Sequence, residues 1–210
     1  MTNDPAAAPT LGFVSDAIAE MLRRLEIPYI ALNPGASYRG LHDSLVNYLG
    51  NTRPEIVLAL HEEHAVAIAH GYAKVTGRPM AAALHSNVGL MHGSMAIFDA
   101  WCDRMPVVVL GAQGPLAADR RRPWIDWVHT VQDLGALVRD YTKWDDQPTS
   151  LPAALESILR AYQQAAADMI ERTSTNLAPW TLIGANDKYH ARVKVLETLV
   201  LAIEDMGGGK

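Results

Sequence analysis

The chain has 210 residues, 49% apolar and 20% charged, with 18 Lys plus Arg against 23 Asp plus Glu and a formal net charge of −5. That composition supports a sizeable buried core and argues against disorder, and the negative balance argues against a broad nucleic-acid-binding face, which needs clustered positive charge. No apolar run approaches the roughly 18–20 residues of a membrane span. The first ten residues lack the basic start and apolar stretch of a secretory signal. Cys102 is the sole cysteine, which excludes an internal disulfide and a multi-cysteine zinc site. The expectation is a cytoplasmic protein with neither a membrane nor a nucleic-acid partner.

Apolar periodicity predicts a first helix over residues 14–25, followed by a short β-branched strand over 27–33 (IPYIALN). A helix over 38–49, a strand over 55–60 (EIVLAL), a helix over 62–75, a strand over 80–85 (MAAALH), a helix over 90–101 and a strand over 106–111 (PVVVLG) come next. Strands that alternate with helices of this length predict an α/β fold. The expected architecture is three-layered, a parallel sheet of about six strands with helices on both faces. Residues 114–129 break the alternation. They carry Arg120, Arg121 and Arg122 ahead of Trp124 and Trp127, and read as an excursion over the surface. Beyond it lie a weak helix at 131–137, a strand-like run at 137–142 and a helix at 151–167. A final helix, a strand at 180–183 and a helix at 187–205 complete the chain, with a sheet position predicted for 180–183.

Ligands of an open parallel sheet sit beyond the carboxyl ends of its strands. Three polar segments fall there: Asn33-Pro34-Gly35 after the first strand, His61-Glu62 after the second, and His85-Ser86-Asn87 after the third. Glu62 opens a helix, where a carboxylate suits the dipole. The helix that follows is apolar almost all round, so burial is expected to raise the Glu62 pKa into a range useful for proton handling. His61, Glu63 and His64 do not have the His-Glu-x-x-His spacing of a zinc helix, and no metal site is expected. His85 reads either as a proton-handling group or as an interior histidine. The arginine run reads as a solvated turn, and Cys102 as a buried, inert thiol. The chain has no G-x-x-x-x-G-K-[ST] phosphate loop, no G-x-G-x-x-G after the first strand and no G-x-S-x-G elbow.

Glu62 within HEEHAVAIAHGYAKVTGRP, together with LHSNVG and DAWCDRMPVVVLGAQG, resembles the pyrimidine-binding domain of thiamine-diphosphate enzymes of the acetolactate synthase and benzoylformate decarboxylase group, over roughly residues 10–165. The resemblance implies that Glu62 hydrogen-bonds N1′ of the cofactor's aminopyrimidine, which promotes loss of the C2 proton. It implies that Asn33, Pro34 and Gly35 lie near the reacting centre and that His85 shuttles protons, with Ser86 and Asn87 beside the cofactor. Ala36 stands where the decarboxylase type has a serine contacting substrate, with Ser37 adjacent. The substrate class implied is a 2-oxo acid. The family also needs a Gly-Asp-Gly domain for Mg²⁺ and the diphosphate, and this sequence contains no Gly-Asp-Gly. The implied protein is therefore half of an active site, a homo-oligomer or the partner of a chain carrying that second domain.

The last forty residues resemble something else. Arg172-Thr173-Ser174-Thr175, Ala178-Pro179-Trp180-Thr181-Leu182 and Ala185-Asn186-Asp187-Lys188 are similar to the C-terminal part of family-2 polyphosphate kinases. The chain thus reads as a composite of a domain over 1–167 and a tail over 168–210. A catalytically silent chimera or dimerising module is the alternative reading, and a polyphosphate- or nucleotide-binding fragment is a third.

Overall fold

A computed structural model describes residues 11–173. The chain divides into two units, Met1–Met169 and Ile170–Lys210, and the sheet and its site belong to the first. Helix α1 spans Val14–Arg24. The Asp16 carboxylate accepts the backbone N–H groups of Gly12 and Phe13, each at 2.9 Å, and so ties down the entry to α1. Strand β1 (Tyr29–Leu32) follows. Next come a 3₁₀ turn at Ala36–Tyr38, a short α2 (Arg39–Asp43) and one π turn at Ser44–Tyr48, where a single helix was expected. Strand β2 (Glu55–Leu58), α3 (Glu62–Thr76), β3 (Met80–Ala83), α4 (Ser86–Cys102) and β4 (Val107–Leu110) repeat the right-handed βαβ pattern. Helix α5 covers Leu151–Thr173.

All strand pairs are parallel and the order is β2-β1-β3-β4. Successive side chains of a strand point to opposite faces, and the core splits accordingly. Ala31, Met80, Ala82 and Leu84 pack with Ala65, Val66 and Ala69 of α3 and Leu90, Ala96 and Ile97 of α4. Ile30, Leu32, Ala81 and Ala83 pack on the other face with Ala19 and Leu22 of α1, Leu45 of the π turn and Ile158 of α5. The three-layered architecture is as predicted.

Four strands are present among the described residues, against about six expected. The run at 137–142 is not a strand but 3₁₀ turns at Gly135–Leu137 and Arg139–Tyr141. Its apolar residues serve the core from a loop: Val138 is buried against the α3–α4 face. Arg139 ties down this loop through Asp133 at 2.8 Å and Asp145 at 2.7 Å. The predicted strand at 180–183 and helix at 187–205 lie outside the described residues. No described helix is long and apolar enough to cross a membrane.

Candidate active site at the sheet switch point

The chain crosses from β1 to β2 on one side and then passes back over β1 to β3 on the other, so the winding reverses between β1 and β3. Such a switch point leaves a crevice above the sheet. Asn33-Pro34-Gly35 leaves β1 there and His85 leaves β3.

Glu62 is the first residue of α3, capped by His61, whose Nδ1 accepts the Glu63 N–H at 3.2 Å. The Glu62 carboxylate is only 6% exposed and faces Nδ1 of His92, on the second turn of α4, at 3.5 Å. Gly89 makes this approach possible, because a Cβ there would lie 3.0 Å from the Leu84 backbone and 3.2 Å from Glu62 Cγ. Burial, the largest single influence, pushes the Glu62 pKa up. The N–H of Glu62 itself, the Asn33 side chain and His92 together outweigh it and hold the carboxyl below its ordinary value. The expected upward shift is thus corrected: hydrogen bonds to the charged form win over desolvation. Tyr38, buried nearby, is pushed up to about 12, first by burial and then by the Glu62 charge, and its hydroxyl donates to the Asn33 carbonyl.

His85 sits at the end of β3 against Gly35, with its Nδ1 2.7 Å from Ser37 Oγ. The same Oγ accepts the Ser86 N–H at 3.1 Å. Ser86 is fully buried in the left-handed region at φ 48°, a conformation that costs a non-glycine residue about 1–3 kcal/mol and that clusters at functional sites. Its hydroxyl donates to Asn87 Oδ1 at 2.8 Å. Burial lowers the His85 pKa first, the charge of His129 lowers it further, and Glu62 opposes both. Of the residues singled out in the sequence, Asn33, Gly35, Glu62, His85, Ser86 and Asn87 share this corner, while Pro34 is exposed.

Sequence reasoning missed His92 and His129, and treated Ser37 only as a neighbour of Ala36. His92 lies thirty positions from Glu62, and no local spacing signals the pair. His129 arrives from the surface excursion, its ring centroid 5.2 Å from that of His85. Gln113, just beyond β4, has a buried Oε1 with no hydrogen-bond partner among the described residues. The arginine run is solvated, all three residues being exposed, and it also ties the loop down: Arg121 donates to the Pro115 and Leu116 carbonyls, and Arg122 pairs with buried Asp126 at 3.0 Å. Cys102 is exposed, not buried, because it ends α4 on the side away from the sheet core. Among the described residues, His61, Glu62 and His92 form one group able to hold a metal ion, with ligand atoms within 4.8 Å of one another. His61 already spends its Nδ1 lone pair on the α3 cap.

A doubly wound parallel sheet with a buried carboxylate and a histidine at its switch point defines a ligand-binding α/β domain. Residues 13–137 match the thiamine pyrophosphate enzyme, N-terminal TPP binding domain, and the chain belongs to that family. Residues 149–208 match polyphosphate kinase 2, so the chain is composite. It is 29% identical over 152 residues to benzoylformate decarboxylase of Pseudomonas aeruginosa, covering 72% of this chain and 26% of that protein. Over 43 residues it is 65% identical to a polyphosphate:AMP phosphotransferase of Pseudomonas syringae pv. tomato, covering 20% of this chain and 9% of the relative. The crystal structure of benzoylformate decarboxylase from Polynucleobacter necessarius superposes with a TM-score of 0.63 at 20% identity, covering 84% of this chain and 32% of that one. The chain therefore spans about a quarter of the decarboxylase and under a tenth of the phosphotransferase.

Proposed function

We propose that this chain is the aminopyrimidine-binding half of a thiamine-diphosphate-dependent enzyme that decarboxylates or ligates a 2-oxo acid. A homo-oligomer or a partner chain would bring the domain that binds Mg²⁺ and the diphosphate. The observation that carries the reading is Glu62, a buried carboxylate kept ionised at the switch point by Asn33, His92 and its own N–H. The residues present fit the aminopyrimidine end. A buried carboxylate held by its own N–H, Asn33 and His92 can meet a flat base bearing ring nitrogen and amino groups. This sequence contains no Gly-Asp-Gly, the motif that holds the diphosphate in the family. The exposed apolar residues Met91, Met95, Phe98 and Trp101 on α4 support a covering chain.

When bound, the cofactor supplies the nucleophilic carbon that adds to the oxo group. Glu62 holds and moves the proton at the pyrimidine ring nitrogen from a site largely closed to water, where such a charge acts strongly. His85, with Nδ1 engaged by Ser37, keeps Nε2 for proton exchange with the reacting substrate.

Calorimetry with thiamine diphosphate and Mg²⁺ tests the half-site. The chain alone should show no sub-micromolar affinity, and addition of a Gly-Asp-Gly partner should create it. Tight binding by the chain alone, or none with any partner, refutes the proposal. The second outcome favours the silent-chimera reading, which the kinase-like tail supports.

A further inference from the structure

The excursion between β4 and α5 is built with more care than a connector needs. Buried Asp126 accepts the backbone N–H of Arg122 at 2.7 Å and pairs with its guanidinium. The Asp126 carbonyl takes the Thr130 hydroxyl at 2.7 Å, and the His129 carbonyl takes the Gly114 N–H at 2.8 Å. Gly114 has no room for a side chain, because a Cβ would lie 2.3 Å from Thr130 Oγ1. What this scaffold delivers to the crevice is one imidazole, that of His129, its ring tilted 60° to that of His85. The His129 Nδ1 lies 2.9 Å from the Ile125 carbonyl. A carbonyl only accepts, so neutral His129 carries its proton on Nδ1 and leaves Nε2 as a free base.

We propose that His129 is a second proton-handling residue of the site, an acceptor for the proton that His85 takes up, and that the 114–130 excursion serves to place it. In the transfer, the N–H bond of the His85 imidazolium breaks and an N–H bond forms at His129 Nε2. His85 returns to neutral imidazole and His129 becomes the imidazolium, with no other bond changed. The buried carboxylate of Asp126 lies near enough for the His129 charge to act on it. Around His85 the titratable neighbours are His129 and Glu62. Around His129 they are His85 and Asp126, the latter shared with Arg122. Two cationic imidazoles 5.2 Å apart repel, so a proton on His129 disfavours one on His85, in the direction that the His129 charge already moves His85. The catalytic meaning rests on the thiamine-diphosphate reading, but the coupling itself does not.

The test is a ¹⁵N-edited NMR titration of the full chain without cofactor. The wild-type protein should show His129 as the Nδ1–H tautomer and His85 titrating below the ordinary imidazole range. His129→Gln should move the His85 transition to higher pH. An Nε2–H tautomer for His129 in the wild type, which requires no variant to fold, overturns the proposal. So does an unchanged His85 titration in a folded His129→Gln chain. Because no cofactor is present, coupling observed in a chain that fails the calorimetric test would refute the thiamine reading and leave the histidine pair standing.

Discussion

Gly35→Ala isolates how closely β1 and β3 must approach at the crevice. At φ −153° Gly35 is in extended backbone that any residue adopts, so the substitution carries no conformational penalty. The cost is steric: a Cβ would lie 2.6 Å from His85 Cγ and Nδ1 and 2.7 Å from His85 Cβ. Carbon atoms normally rest about 3.5–4.0 Å apart, so roughly 1 Å must be found. The clash reaches the Cβ of His85, so a ring rotation alone cannot relieve it. Either the turn after β1 or the start of α4 has to move, and the 2.7 Å contact between His85 and Ser37 opens with it. Overpacking of this kind costs about 1–3 kcal/mol, more than the ~0.4–1 kcal/mol that replacing glycine gains through the unfolded chain. Urea unfolding should therefore show net destabilisation, and the His85 ring signals should shift. Gly71→Ala is the internal control. It lies within α3 with nothing inside 4 Å of its added Cβ, and should stabilise by about 0.5–1 kcal/mol. A Gly35→Ala chain as stable as Gly71→Ala, with unmoved His85 signals, would refute the packing argument.

Further outcomes are expected at four positions. With a complementing partner, Glu62→Gln should slow hydrogen–deuterium exchange at the cofactor C2 by about 10²–10⁴-fold with unchanged thermal unfolding, and unaffected exchange would remove Glu62 from its role. Asp126 is held below the ordinary carboxylate value by Arg122, through its side chain and then its backbone. Its contribution is present above the unfolded pKa and lost as pH falls through the folded one, so the 114–130 amides should lose hydrogen-exchange protection on acidification, and Asp126→Asn should loosen the same amides at neutral pH. Gly77 caps α3 at φ 68° with its N–H on the Ala73 carbonyl. Gly77→Ala should cost about 1 kcal/mol in denaturant unfolding, the penalty of a left-handed alanine, and no loss would show that the cap tolerates a Cβ. Cys102, exposed at the end of α4 in the single chain, should react with a thiol reagent when the chain is monomeric and be protected when the covering chain is bound, and equal reactivity in both states would show that this end of α4 is not covered.

The sequence by itself determined what is local. Four short β-branched or alanine-rich runs became β1 to β4, with β3 buried throughout as a central parallel strand needs and the edge strand β2 only partly buried. Glu62 was legible as the first residue of an apolar helix, and Asn33, Gly35 and His85 as polar strand ends. The run at 137–142 misled because apolar, β-branched residues look alike whether they pair in a sheet or drop one side chain, Val138, into the core from a loop. Helix α4 begins at Ser86, earlier than its periodicity indicated, because its first turn is built from small and polar residues that pack against Glu62 and Ser37. The state of Glu62 was decided in part by the tertiary structure. Burial points upward and its own helix N–H points downward, and Asn33 just after β1 and His92 from α4 add to the downward side, so that together they outweigh burial. His129 belongs to the same class: its sequence neighbours describe a surface loop, and only the folding of that loop around Asp126 brings its ring to His85. Periodicity records which residues are buried, but the pairing of polar groups across the chain depends on distances that exist only once the sheet has formed.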